Sequence, residues 1–112
     1  MIPSVGRIVQ YTLTEGDAAS INRYKSEHGL SANPHSQGDV LPLLICKVWA
    51  VDPTEQTAVN GQVFVDGVFS YWATSRCQGE GEGHWVSPVA AAATNVVSMN
   101  DIRWAGSYAP GL

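Results

Sequence analysis

The stretch Val59-Asn60-Gly61-Gln62-Val63-Phe64-Val65-Asp66-Gly67-Val68-Phe69-Ser70-Tyr71-Trp72-Ala73-Thr74-Ser75 reads as a β-hairpin. Two apolar runs flank Asp66-Gly67, and both residues tolerate the positive φ that a two-residue type I′ turn demands. Counting outward from that turn pairs Val65 with Val68, Phe64 with Phe69, Val63 with Ser70, Gln62 with Tyr71 and Gly61 with Trp72. One surface then carries Val63, Val65, Val68 and Trp72, with the indole filling the gap beside Gly61. The other mixes Phe64, Phe69 and Tyr71 with the amides of Asn60 and Gln62. This register predicts Trp72, together with Trp49, in the core and Tyr71 as a contact residue.

Upstream, Val5 to Leu13 alternates as a first strand with Val5, Val9, Tyr11 and Leu13 on one side. Thr14 and Asp17 form a variant of the capping box, and Ala18 and Ile21 follow at helical spacing toward Gly29. A helix over about 15–28 is expected, with Asn22 and Arg23 turned away from its apolar stripe. Leu30 to Val40 has the composition of an ordered loop. Leu41 to Val51 is apolar enough for a central strand covered on both faces, with Pro42 at its start. Gly79, Gly81 and Gly83 mark a mobile or ligand-ordered loop before His84-Trp85. The expected fold is α+β, mainly β: a small curled antiparallel sheet or SH3-like partly open barrel with one N-terminal helix. Residues 1–86 form that domain, and 87–112 form an extension packing on it or on a neighbouring subunit.

The chain has 112 residues, 45% of them hydrophobic and 14% charged, with a net charge of −4. That suits one domain with a modest core. The charge pattern argues against a nucleic-acid polymer, whose phosphates demand a basic surface. No stretch reaches the roughly 20 apolar residues of a membrane helix, and Met1 to Gly6 lacks a secretory pattern. A soluble protein of the cell interior is expected. Cys46 and Cys77 read as free thiols, and neither they nor Glu80 and Glu82 have metal-site spacing.

His28, His35 and His84 have carboxylates nearby in sequence, but no nucleophile elbow, metalloprotease helix or phosphate loop accompanies them. The reading is of a protein that binds and does not catalyse, with no catalytic residue, metal or cofactor. Rings beside amides suit a planar polar ligand, stacked on its face and read along its edge. The residues selected for such a site are Tyr11, Arg23, Asn33, His35, Asn60, Gln62, Tyr71 and Trp85.

A set of short motifs in one order supports a more specific comparison: Val5-Gly6-Arg7-Ile8-Val9, Asp17-Ala18, Asn33-Pro34, Gly38-Asp39, Val48-Trp49, Val59 to Phe64, Asp66-Gly67, Trp72-Ala73-Thr74-Ser75 and Gly83-His84-Trp85. From residue 4 to about 85 the chain resembles a widespread family of small, mostly uncharacterised proteins of tailed bacteriophages and prophages. The resemblance implies a phage setting and assigns no activity. Within that setting the expectation is an accessory protein, a homo-oligomer in the cytoplasm of the infected bacterial host, that sequesters a nucleotide-like immune signal without turnover. Tyr11, Tyr71 or Trp85 would stack on the base, Asn33, Asn60 and Gln62 would read its edge, and Arg23 would meet phosphate. The alternatives are a decoration or assembly protein of the virion and an inhibitor of a host enzyme.

Overall fold

The computed structural model describes residues 1–88. All but the first two residues of the expected 87–112 extension therefore lie outside the described residues. Elements follow in the order β1 (Ile8–Thr12), α1 (Glu15–His28), β2 (Val40–Val48), β3 (Val59–Phe64), β4 (Ser70–Arg76) and β5 (Trp85–Val86). The strands form one antiparallel sheet, ordered β4-β3-β2-β1-β5. The chain is α+β and mainly β with one N-terminal helix, as expected, and its sheet is not closed.

The helix begins and ends where its caps dictate. Thr14 Oγ1 accepts from the Asp17 N–H while an Asp17 oxygen accepts from the Thr14 N–H, so two donors left without helical partners are satisfied reciprocally. Gly29, at φ 60°, turns the chain left-handed and stops it. Asp17, Ala18 and Ile21 form the buried stripe, packed over the inner face of the sheet. Alternation supplies the other half of the core: Val9 and Tyr11 from β1, Leu43 and Ile45 from β2, Val59 and Val63 from β3, and Ala73 from β4, closed by Leu13 and Trp85. β2 is central, and among the described residues only its inner face is covered, with Val40, Pro42 and Cys46 exposed on the other side. Val5 has the parity of the core strand but lies before β1 and is exposed.

The hairpin exists, but its register is one residue away from the expected one. Gly61 pairs with Ala73, Gln62 with Trp72, Val63 with Tyr71 and Phe64 with Ser70. Because side chains alternate with period two, a slip of one exchanges every face assignment on β4. Tyr71 turns toward the helix, and Trp72 turns outward with 61% of its surface exposed. The cause lies at the tip. Neither Asp66 nor Gly67 has positive φ, so no type I′ turn forms. Instead residues 31–35 grip the connection: Asn33 N–H donates to Asp66 O (2.9 Å), Val68 N–H donates to Ser31 O (3.1 Å), and Ala32 bridges Gly67. Gly67 is required by that approach, since a Cβ there would lie 2.8 Å from Ala32 Cα.

Gly61 is covered by Leu43 and not by Trp72; a Cβ at Gly61 would also lie 2.5 Å from the Leu44 carbonyl oxygen. Irregularities between Ile45 and Lys47 on β2, and between Ala73 and Arg76 opposite Val59 and Gly61, meet at Asn60. Ser75 takes a φ of 56° there. Asn60 Oδ1 accepts from the Ser75 N–H (2.7 Å) and from Trp49 Nε1 (3.0 Å), drawing the indole over the sheet end. Trp49 is consequently 55% exposed, not core.

Candidate functional site

The densest polar arrangement surrounds Asp17. Its carboxylate is buried and accepts four hydrogen bonds: Oδ2 from Tyr11 Oη and Thr14 N, Oδ1 from Tyr71 Oη (2.7 Å) and Arg76 Nη2 (3.0 Å). Helix, first strand and edge strand thus converge on one anion. Burial alone would raise the Asp17 carboxyl, but the hydrogen bonds from Tyr11, Thr14 N and Tyr71 and the Arg76 charge outweigh it and hold the group below its ordinary value. Burial pushes both tyrosines up, and donation to Asp17 pushes them further, so each phenol keeps its proton. The Arg76 guanidinium also lies over the Tyr11 ring, 5.6 Å from its centroid. With its lone pairs engaged by donors, Asp17 is arranged to pin α1 to β1 and β4.

Beside this cluster, α1 and β4 leave a groove of about 440 Å³. Ser20, Arg23, Tyr24 and Glu27 line it from the helix, and Phe69, Ser70, Tyr71 and Trp72 from the edge strand and its approach. Helical spacing places Ser20, Arg23, Tyr24 and Glu27 on adjacent turns of one face. Tyr24 stacks on His28 at 4.1 Å between centroids and meets Phe69 at 5.2 Å. Among the described residues the Arg23 guanidinium bonds only the Ser20 hydroxyl, at 3.4 Å, and most of its donors are uncommitted there. The groove therefore offers aromatic faces, one cation and one carboxylate.

Of the eight residues selected from sequence, Arg23 and Tyr71 line this groove. Tyr11 and Trp85 pair across β1 and β5 and are fully buried; Trp85 Nε1 donates to Arg76 O (3.1 Å). Asn33 Nδ2 donates to Asp66 Oδ2 (2.6 Å). His35 is buried, and its Nε2 accepts from the Asp66 N–H (3.0 Å), which places its proton on Nδ1, a buried atom without a partner among the described residues. Asn60 holds the two irregular strand segments. Gln62 Oε1 accepts from Ser70 Oγ (2.8 Å) on the outer face, beside Trp72. The eight thus do not form one site.

Sequence reasoning missed Tyr24, Glu27, Phe69 and Trp72 in the groove and Arg76 in the cluster. For the cluster a signal was present: Asp17 belongs to the apolar stripe with Ala18 and Ile21, and a buried carboxylate requires partners. The glycine-rich loop is tied back through Gly83 N–H to Thr12 O (2.8 Å), Thr12 N–H to His84 O (3.1 Å) and Gln37 Nε2 to both Glu82 oxygens (2.9 Å each). Cys46 and Cys77 are free thiols. Among the described residues no three His, Cys, Asp or Glu side chains converge as a metal site, and no helix is long and apolar enough to cross a membrane.

No protein-family profile matches the chain, and comparison with curated proteins and with solved structures found no match.

Proposed function

We propose that this chain is a phage accessory protein that binds a planar, anionic small molecule of nucleotide type in the groove between α1 and β4, without turnover. The observation that supports this reading is the groove itself: Tyr24, Phe69 and Tyr71 supply rings, and Arg23 supplies a largely uncommitted guanidinium at the same opening. Rings hold a base by its faces, and a guanidinium matches a phosphate in planar, two-pronged geometry. The nearest buried carboxylate, Asp17, is occupied by structural donors and lacks the free lone pair a general base requires. Calorimetry with cyclic dinucleotides and ADP-ribose derivatives tests the proposal. Binding by one of them should weaken at least tenfold in Arg23→Ala and in Tyr24→Ala, with the unfolding midpoint little changed. Absence of heat with every compound removes the proposal's support.

A second reading, assembly into the virion, draws on the edge of β4, where Ser70 to Ser75 contains no charge, proline or lysine to discourage strand pairing. Stoichiometric recovery of the chain in purified particles supports it, and absence from particles excludes it.

A further inference from the structure

The face of the sheet opposite the helix is uncharged and open, its apolar side chains set among Gln10, Gln62, Ser70 and Thr74. Ile8, Val40 and Trp72 are 55%, 56% and 61% exposed, and Phe64 and Leu44 lie between them. The register sets Ile8 against Leu44, Leu44 against Gln62 and Gln62 against Trp72, one continuous row across four strands. No outward-facing residue from Ile8 to Thr12, Val40 to Leu44, Gln62 to Phe64 or Ser70 to Thr74 is charged. Exposed apolar side chains gathered on one uncharged face suit a surface that another segment covers.

We infer that residues 89–112 of the same chain cover this face. Two observations select this occupant. The chain reaches Pro88 on the face itself, where Pro88 joins Ile8, Gln10, Val40 and Pro42 around a cavity of about 220 Å³. The segment that follows supplies Val89, Val96, Val97, Met99, Ile102 and Trp104 and only two charged residues, Asp101 and Arg103. Its maximum reach, roughly 80 Å, far exceeds the sheet's width.

The test is nuclear Overhauser spectroscopy on the full-length, isotope-labelled chain at a concentration where sedimentation shows monomer. Cross-peaks are expected between residues 89–112 and the side chains of Ile8, Val40, Leu44, Phe64 or Trp72. Replacing Val96 and Val97 together by Asp should remove them and shift the Ile8, Val40 and Leu44 methyl resonances, while Leu43 and Val63 on the helix side stay in place. Cross-peaks found only between differently labelled chains overturn the inference in favour of a second copy. Absence of cross-peaks, or resonances unmoved by the double substitution, overturns it outright.

Discussion

Replacing Asp17 by Asn changes one atom's identity at the point where three elements meet, and its cost can be worked from the contacts. Asp17 and Arg76 side chains are 2% and 27% exposed, so solvent screens the pair little on the carboxylate side. Hydrogen bonds to a charged group contribute about 1.5–3 kcal/mol each and neutral ones about 0.5–1.5. Tyr11 and Tyr71 would each lose roughly 1 kcal/mol by donating to an amide. The new NH₂ must also face donors on one side, either Tyr11 and Thr14 N or Tyr71 and Arg76, turning attraction into conflict. Breaking a buried pair by removing one charge costs about 3–5 kcal/mol, and the sum of these losses falls in that range. Against a total stability of about 5–15 kcal/mol this is a large fraction. Urea unfolding followed by circular dichroism should show the midpoint falling by roughly 2–3 M. Tyr71→Phe should cost about 1–2 kcal/mol, and the double variant should cost less than the two singles added, because both remove the same bond. A loss below about 1 kcal/mol for Asp17→Asn would refute the assignment of Asp17 as the pin of the fold.

The same cluster sets the pH dependence: Asp17 is held below its ordinary value, so its contribution is complete above the unfolded carboxylate pKa of about 3.9 and is lost as pH falls through the folded value. Tyr11 and Tyr71 are raised, so stability should fall as pH climbs above about 10, where the unfolded phenols ionise first; urea midpoints from acid to alkaline pH check both arms. Gly61→Ala should destabilise by about 1–3 kcal/mol through overpacking against Leu43 and the Leu44 carbonyl, measured by thermal unfolding, and a neutral result would show that β2 yields there. Asn60→Ala should cost about 1–3 kcal/mol by orphaning the Ser75 N–H and freeing Trp49, with Trp49 fluorescence reporting the change.

Local chemistry made the helix legible down to its ends, because Thr14, Asp17 and Gly29 act within a few residues of themselves. The hairpin's existence was equally legible from its alternation. Its register was not, because the turn preference of Asp66-Gly67 competes with hydrogen bonds to Ser31 and His35 and from Asn33, more than thirty positions away. Tertiary capture of the tip overrides the local preference, and the slip carries Tyr71 inward to Asp17 and Trp72 outward. The groove inherited that error, since its β4 wall depends on which of the two rings faces the helix.

The placement of the polar candidates follows a physical pattern. Asn33, His35 and Asn60 have side chains able to read a ligand's edge, yet each is engaged at irregular chain: Asn33 by the Asp66 carboxylate at the hairpin tip, His35 by the Asp66 N–H, and Asn60 by the Ser75 N–H at the strand irregularity. Backbone that leaves a ladder must find partners, and nearby amides and imidazoles are the cheapest source. Arg23 stands on a regular helix whose own backbone is satisfied, so its guanidinium has no such duty and among the described residues reaches only the Ser20 hydroxyl. A polar side chain next to predicted turns or bulges is therefore a weak ligand candidate in a small sheet protein, whereas one on the outer face of a capped helix is a stronger one. That distinction rests on local structure alone, and it places Arg23 above Asn33, His35 and Asn60 as a ligand contact.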